Sequence, residues 1–146
     1  MIHESVYTEE ALQELANEIA SELRGGETLF LTGELGAGKT TFTRALVGAL
    51  HSNTAVSSPT FQLINEYPID DQRRIIHADL YRLQNPDDVV TLGLDEYIAD
   101  PKTITIIEWP EVGAPHLPTP DMHLAFTHRD PTTRRIHITD YSKKSS

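Results

Sequence analysis

The spacing of apolar residues in the first third of the chain predicts two helices with a buried strand between them. Apolar residues recur every three or four positions over residues 12–23, after Thr8, whose hydroxyl can cap a helix, and a glycine pair at 25–26 ends this pattern. Residues 28–32 form a short apolar run that is typical of a buried strand. Helical spacing returns over residues 42–50, so a glycine-rich turn connects the strand to the second helix.

The rest of the chain contains several strand patterns and few helical ones. Alternating or continuous apolar residues predict five more strands, at residues 61–67, 73–81, 103–107, 122–127 and 135–139. Asn85, with the proline and acids after it, predicts the start of a short helix that residues 94–99 continue. The proline-rich residues 110–120 are expected to form a loop, and a turn at residues 129–131 to close a hairpin between the last two strands.

This order of elements predicts the fold class. Because several strands follow one another without a helix between them, a sheet with only parallel strands is disfavoured. We expect an α/β fold in three layers, with a mixed sheet of about six parallel and antiparallel strands flanked by helices. No internal repeat or long linker interrupts the sequence, so residues 1–146 are expected to form a single domain.

Composition and charge narrow the possible functions. The 22 acidic and 12 basic residues give a net charge of −10, which disfavours independent binding to a nucleic acid backbone. The absence of cysteine excludes disulfides, thiolate metal sites and cysteine nucleophiles. No apolar run approaches the roughly 18 residues of a membrane span, and the first residues lack a signal-peptide pattern. We therefore expect a soluble, cytoplasmic protein with no membrane partner.

Basic residues are concentrated near the end of the sequence. Residues 129–146 contain five basic and two acidic side chains, so this segment carries +3 while the preceding 128 residues carry −13. Charged stretches usually form a solvated surface, and a solvated hairpin and tail is the simplest interpretation. A docking surface is the alternative.

Residues 33–40 match the GxxxxGK[ST] phosphate-binding motif, known as Walker A, in full. The motif lies between a predicted strand and a predicted helix, as in a P-loop NTPase-like fold. Its glycines let backbone N–H groups turn inward, and the N-terminus of the helix adds partial positive charge. Lys39 would reach the β- and γ-phosphates, and the Thr40 hydroxyl would bind Mg²⁺. The candidate nucleotide-binding residues are Gly33, Gly36, Ala37, Gly38, Lys39, Thr40 and Thr41.

Two carboxylates at predicted strand ends are candidates for completing a magnesium site. Mg²⁺ prefers oxygen ligands, and P-loop proteins supply one from a carboxylate on a neighbouring strand. Glu108 ends the apolar residues 104–107, and Asp79 ends a less apolar run at residues 74–78. The spacing does not decide which carboxylate binds the metal and which orients water, and either could be an ordinary surface acid.

Four further residues have weaker patterns. Thr60 follows a Ser-Ser-Pro sequence and could sense the γ-phosphate, although a simple proline turn fits equally well. His77 shares a strand face with Asp79, where a packing or hydrogen-bonding role is usual for a lone histidine. Trp109 could stack near a nucleotide, although core packing is the more common role. The loop regions contain no convincing arginine finger, and Arg82 is only the nearest candidate, so we expect slow turnover without a partner.

The sequence leaves three functions open. No Asn-Lys-x-Asp sequence for reading guanine is present, which favours ATP over GTP and makes Mg-dependent ATP hydrolysis the leading hypothesis. A small-molecule or nucleoside kinase would use the same loop but would need a basic lid, and residues 80–128 contain only Arg82 and Lys102 as Arg or Lys. A binding module that senses ATP without hydrolysing it is the third possibility.

Four segments taken together resemble the TsaE family, formerly called YjeE. They are GELGAGKTT at residues 33–41, SPT at 58–60, HADLYR at 77–82 and IEWPE at 107–111. Their order and spacing agree with the family over nearly the whole chain. The members of this family are small bacterial ATPases that are required for threonylcarbamoyladenosine formation on tRNA.

The resemblance implies partners and site residues. A TsaE-like ATPase works with the TsaB and TsaD subunits and meets tRNA through their complex. The resemblance implies that Thr40 and Glu108 contact Mg²⁺ and that Asp79 is functional. It also implies that the N-terminal segment approaches the nucleotide base, which would bring Thr8 or Glu9 near it.

Overall fold

A computed structural model describes residues 2–34, 36–50, 63–130 and 133–141 of the chain. These residues form one seven-stranded sheet with helices on both faces. In chain order the elements are β1 (Ile2–Thr8), α1 (Glu9–Ala20), β2 (Thr28–Gly33), α2 (Lys39–Ala49), β3 (Ile64–Pro68), β4 (Arg74–Asp79), α3 (Asp88–Thr91), α4 (Leu94–Ala99), β5 (Thr103–Glu108), a 3₁₀ helix (Pro110–His116), β6 (Met122–Asp130) and β7 (Thr133–Asp140).

The sheet is mixed, as the order of elements predicted. Its strands lie in the order β1-β7-β6-β2-β5-β4-β3. The four central strands β6, β2, β5 and β4 are parallel, while β1, β7 and β3 pair antiparallel with their neighbours. The carboxyl ends of the parallel strands therefore meet at one edge, which is where ligands bind in open α/β sheets.

Two apolar clusters hold the layers together. The larger one lies between the sheet and the helices α1 and α2, and it includes Leu29, Leu31, Phe42, Leu46 and Ile136. The smaller one lies under α3, α4 and the 3₁₀ helix on the other face, and it is formed by Ala78, Leu80, Val89, Leu94 and Ile107. The predicted three-layer α/β architecture is confirmed.

Local signals explain where the helices begin and end. The Thr8 hydroxyl accepts a hydrogen bond from Ala11 N at 3.2 Å, so the predicted N-cap of α1 is confirmed. Helix α1 ends at Ala20, before the predicted limit at Leu23, which remains buried in the following turn. The prediction of one continuous helix after Asn85 is wrong, because Gly93 adopts a left-handed φ of 76° and separates α3 from α4.

Several boundaries differ from the sequence predictions. Strand β1 was not predicted, since its pattern is weakly periodic and its pairing partner β7 lies at the far end of the sequence. The expected loop at 110–120 contains the 3₁₀ helix, which begins with a proline at its first position. Within the described ranges no helix is long and apolar enough to cross a membrane. Residues 61–62, Pro131, and the basic Lys143 and Lys144 lie outside the described residues.

Candidate functional site

The glycine-rich loop and the two candidate carboxylates meet at the carboxyl edge of the parallel strands. Strand β5 lies between β2 and β4, and its Glu108 pairs in register with Leu31 on one side and with Asp79 on the other. Together with the loop they enclose a cleft of about 160 Å³. The cleft is lined by Gly36, Gly38, Lys39, Thr40, Thr41, Asp79, Glu108, Trp109 and Arg134.

The loop turns sharply between β2 and α2 because of its glycines. Gly33, Gly36 and Gly38 have φ values of 136°, 78° and 111°, which side-chain-bearing residues rarely adopt. The first bond of α2 runs from Phe42 N to Gly38 O at 2.9 Å, so the N–H groups just before Phe42 have no intrahelical acceptor. These donors and the helix dipole together favour an anion at this end of α2.

Lys39 lies across the loop with its side chain only 4% exposed. Its Nζ donates to Gly33 O and lies 3.9 Å from the centroid of the Trp109 ring. Burial lowers the pKa of Lys39, while the charges of Glu108, Asp79 and Glu111 raise it. The ammonium therefore lies in a partly desolvated position, where its attraction to a phosphate would be stronger than in water.

The two carboxylates differ in how they are held. Glu108 is 3% exposed, and its Oε2 lies 2.6 Å from Nε2 of His77. Burial raises the pKa of Asp79, a backbone hydrogen bond from Tyr81 N at 3.0 Å lowers it, and Glu108 raises it further. A half-buried carboxylate next to a second, fully buried one is a suitable arrangement for a cation between them.

The side chains at this edge fit a magnesium ion. Thr40, Asp79 and Glu108 all line the cleft and offer only oxygen ligands, which Mg²⁺ prefers. Among the residues that the structure describes, no three His, Asp or Glu side chains form a metal-binding group by themselves. Such a partial ligand set matches the way Mg²⁺ binds through one or two carboxylates, phosphate oxygens and water.

Trp109 forms one wall of the cleft. Its φ of 58° is the one positive value among the described non-glycine residues, and its ring lies 4.8 Å from that of Tyr81. The ring packs against the smaller apolar cluster, which was the commoner role considered for Trp109, and it also faces Lys39 at the cleft. His77 has the hydrogen-bonding role expected of a buried lone histidine.

Arg134 is the residue of the site that sequence reasoning missed. It lines the cleft and lies against the loop, since a Cβ placed on Gly38 would be 3.5 Å from its Nε. Arg82, the sequence-based candidate, is exposed and does not line the cleft. The sequence feature that could have identified Arg134 is the alternation of buried and exposed residues in β7. Arg134 shares the inward face of this strand with the buried Ile136, while Arg135 is exposed.

The remaining predicted site residues stay predictions. Thr8 pairs with Thr133 next to Arg134, so the start of α1 lies at the same edge of the sheet, but neither Thr8 nor Glu9 lines the cleft. Thr60 lies outside the described residues. Ala37 is buried within the loop, where its backbone completes the turn.

A larger cavity of about 400 Å³ lies on the other face of the sheet. Phe30, Leu117 and Pro118 give it a mostly apolar lining, and the imidazole of His123 lies 2.8 Å from the Thr32 hydroxyl at its floor. Burial lowers the pKa of His123, so this group favours the neutral form. No residue of the glycine-rich loop lines this cavity, and its chemistry does not suit a phosphate.

Comparison with known proteins agrees with this geometry. The family model for threonylcarbamoyl adenosine biosynthesis protein TsaE matches residues 6–136. The tRNA threonylcarbamoyladenosine biosynthesis protein TsaE of Aquifex aeolicus is 41% identical over 90% of this chain and 90% of its own length. The protein of the same name from Rickettsia bellii is 35% identical over 91% of both chains.

A solved structure extends the similarity to the fold. The crystal structure of Bacillus subtilis YdiB superposes with a TM-score of 0.73 and 28% identity, over 97% of this chain and 88% of YdiB. The superposition therefore spans nearly the whole chain. The chain belongs to the TsaE family, the threonylcarbamoyl adenosine biosynthesis proteins.

Proposed function

We propose that this chain binds and hydrolyses Mg-ATP in the cleft beside the glycine-rich loop. The observation that carries the proposal is that Lys39, Thr40, Asp79 and Glu108 all line one cleft at the N-terminus of α2. The cleft volume of about 160 Å³ is below the range of about 300 Å³ and more that encloses a whole small-molecule ligand. The cleft thus suits the phosphates, with the ribose and base outside it.

Phosphate binding would use the loop backbone and two cations. The N–H groups of the loop and of the first turn of α2 donate to phosphate oxygens. Lys39 needs only to exchange its contact with Gly33 O for a phosphate oxygen, because its ammonium already lies over the loop. Arg134, against Gly38 on the opposite wall, adds a second positive charge to the phosphates.

Thr40 and Glu108 would hold Mg²⁺, and Asp79 would position the metal or the attacking water. The bound ion would neutralise charge that develops on the phosphate oxygens. Burial makes Asp79 a better proton acceptor than an exposed carboxylate, since it raises the pKa of this group. This favours Asp79 as the group that orients water, and Glu108 as the fixed ligand.

In this proposal, ATP hydrolysis serves the formation of threonylcarbamoyladenosine on tRNA. The relatives carry that pathway in their names, and the four sequence segments that resemble the family include every proposed site residue except Arg134, Thr8 and Glu9. The resemblance gives TsaB and TsaD as the partners. A net charge of −10 supports contact with tRNA through those partners, because the chain alone would be repelled by phosphates.

The test is phosphate release from Mg-ATP by the purified chain, alone and with TsaB and TsaD. Lys39→Ala should abolish release, because it removes the buried ammonium from the loop. Lys102→Ala is the matched control, since Lys102 is exposed at the opposite end of β5 from Glu108, and it should behave like the parent protein. Full activity of Lys39→Ala would refute the proposal.

The two alternative functions give different results in the same assay. Phosphate transfer that depends strictly on an added small acceptor would indicate a kinase. Tight ATP binding without phosphate release, even with both partners present, would indicate a module that senses ATP. Activation of hydrolysis by TsaB and TsaD is the result that we expect.

A further inference from the structure

His77 and Glu108 form a fully buried pair behind the cleft. The His77 side chain has no exposed surface, and Glu108 is 3% exposed. Their 2.6 Å contact joins Nε2 of the imidazole to Oε2 of the carboxylate. The proposed reaction uses Glu108 directly but gives no role to His77. Burying a polar group is costly unless it is hydrogen-bonded, and the contact with Glu108 meets this requirement for the imidazole.

The pair is held by the two central strands and by no loop. His77 lies opposite Ile106 in the parallel pairing of β4 and β5, so it is the diagonal neighbour of Glu108. Both strands are hydrogen-bonded on both sides, since β5 lies between β2 and β4, and β4 lies between β5 and β3. The direction from which Nε2 approaches the carboxylate is therefore fixed by the sheet.

The geometry also assigns the hydrogen of this contact. A carboxylate oxygen can only accept, so Nε2 carries the hydrogen and donates it to Oε2. The other ring nitrogen, Nδ1, is buried and has no hydrogen-bond partner within the described part of the chain. The contact with Oε2 is therefore the one hydrogen bond that the described residues give this ring, and it directs one donor at one carboxylate oxygen.

We propose that His77 is a positioning residue for the metal ligand Glu108. Its Nε2–H fixes Oε2, so that the carboxylate cannot rotate and its remaining oxygen is available in the cleft. This inference rests on the proposed function, because it takes Glu108 as a ligand of Mg²⁺. Partners that hold ligating groups in this way typically change metal affinity by about 10- to 100-fold when they are replaced.

The test compares His77→Leu with His77→Gln. Leucine removes the donor, whereas the glutamine amide nitrogen reaches about the place of Nε2 and can still donate to Glu108. ATP binding is measured through the fluorescence of Trp109, the single tryptophan, at increasing Mg²⁺ concentrations. The readout is the Mg²⁺ concentration that produces half of the Mg²⁺-dependent increase in ATP affinity. We expect His77→Leu to raise this concentration about 10- to 100-fold, and His77→Gln to restore most of the loss.

Two comparisons separate positioning from a merely structural role. ATP binding in EDTA should be equal in all variants, because the loop is unchanged. Thr105→Val is the matched control: Thr105 is buried on β5, its hydroxyl has no hydrogen-bond partner among the described residues, and removing it should leave the Mg²⁺ dependence unchanged. If His77→Leu fails to fold, His77→Gln is compared with His77→Asn, whose shorter amide should not reach Glu108 and should show the larger shift.

Glu108→Gln distinguishes failure of this inference from failure of the proposed function. If Glu108→Gln leaves the Mg²⁺ dependence unchanged, Glu108 is not a metal ligand and the proposed site is wrong. If Glu108→Gln raises the Mg²⁺ requirement while His77→Leu does not, the positioning role is refuted. Equal shifts for His77→Leu and His77→Gln would also refute it, because a donor at this position would then make no difference.

Discussion

Gly33 is the position where the structure makes the sharpest prediction about stability. It ends β2 with a φ of 136°, and a Cβ added there would overlap the carbonyl oxygen of Phe126 on β6 and lie 3.2 Å from the Phe126 Cβ. The overlapping atom belongs to the backbone of a paired strand, since Gly33 and Phe126 are in register. Neither a rotamer change nor a small side-chain shift can relieve it.

The cost of Gly33→Ala follows from two contributions. A side chain in this region of φ costs about 1 to 3 kcal/mol, and overpacking against a fixed backbone costs about 1 to 3 kcal/mol more. The sum of about 2 to 6 kcal/mol is a large part of the 5 to 15 kcal/mol that typically stabilises a domain. At about 3 °C per kcal/mol, the unfolding temperature should fall by about 6 to 18 °C.

Gly48→Ala is the matched control for this substitution. Gly48 lies exposed in α2 with no atom within 4 Å of an added Cβ, so alanine should stabilise the protein by about 0.4 to 1 kcal/mol. Both variants are measured by thermal and urea unfolding without nucleotide, which keeps the result independent of ATP binding. If Gly33→Ala unfolds at the same temperature as the parent protein, the predicted overlap between the added Cβ and the Phe126 carbonyl oxygen is refuted.

Two further predictions concern the walls of the cleft. Arg134→Ala should lower kcat/KM for ATP by about 10- to 150-fold, because losing one charge-assisted hydrogen bond costs about 1.5 to 3 kcal/mol. Arg135→Ala, on the exposed face of the strand, should leave kcat/KM unchanged. Equal effects of the two substitutions in a steady-state assay would contradict this prediction. Because burial raises the pKa of Asp79, its ionised form opposes folding above that pKa, and this cost disappears below the unfolded value of about 3.9. Without nucleotide at pH 7, Asp79→Asn should therefore unfold at a higher temperature than the parent protein, and this difference should disappear as the pH falls towards 4. The variant should also lose ATP hydrolysis. A lower unfolding temperature than the parent protein at pH 7 would contradict the prediction.

Local patterns were sufficient for the parts of the site that lie next to one another in the sequence. The glycine-rich loop, its strand and its helix follow from a short motif and from apolar spacing, and β2 and α2 are found where they were expected. Glu108 and Asp79 were identified because each ends an apolar strand, and parallel neighbours bring such ends together. The family resemblance adds their roles, which stay predictions.

Contacts between distant strands could not be predicted from local patterns. The contact between His77 and Glu108 depends on the register of β4 against β5, across 31 residues of sequence. Arg134 reaches the loop because β7 runs antiparallel to β6, which itself lies beside β2. In the sequence the same arginine is one member of a basic segment, and nothing local distinguishes it from Arg135 except the alternation of the strand.

The pairing of β1 with β7 also determines how the protein can assemble during its synthesis. Strand β1 has β7 as its one neighbour in the described sheet, with Ile2 opposite Thr139. Since a chain leaves the ribosome from its N-terminus, β1 is made well before β7 and has no strand to pair with until β7 has been synthesised. The same strand β7 carries Arg134 to the cleft, so a nascent chain that stops before β7 lacks both the edge of its sheet and one wall of its site. The outer edge of the sheet and the Arg134 wall of the cleft are therefore completed by the same late strand.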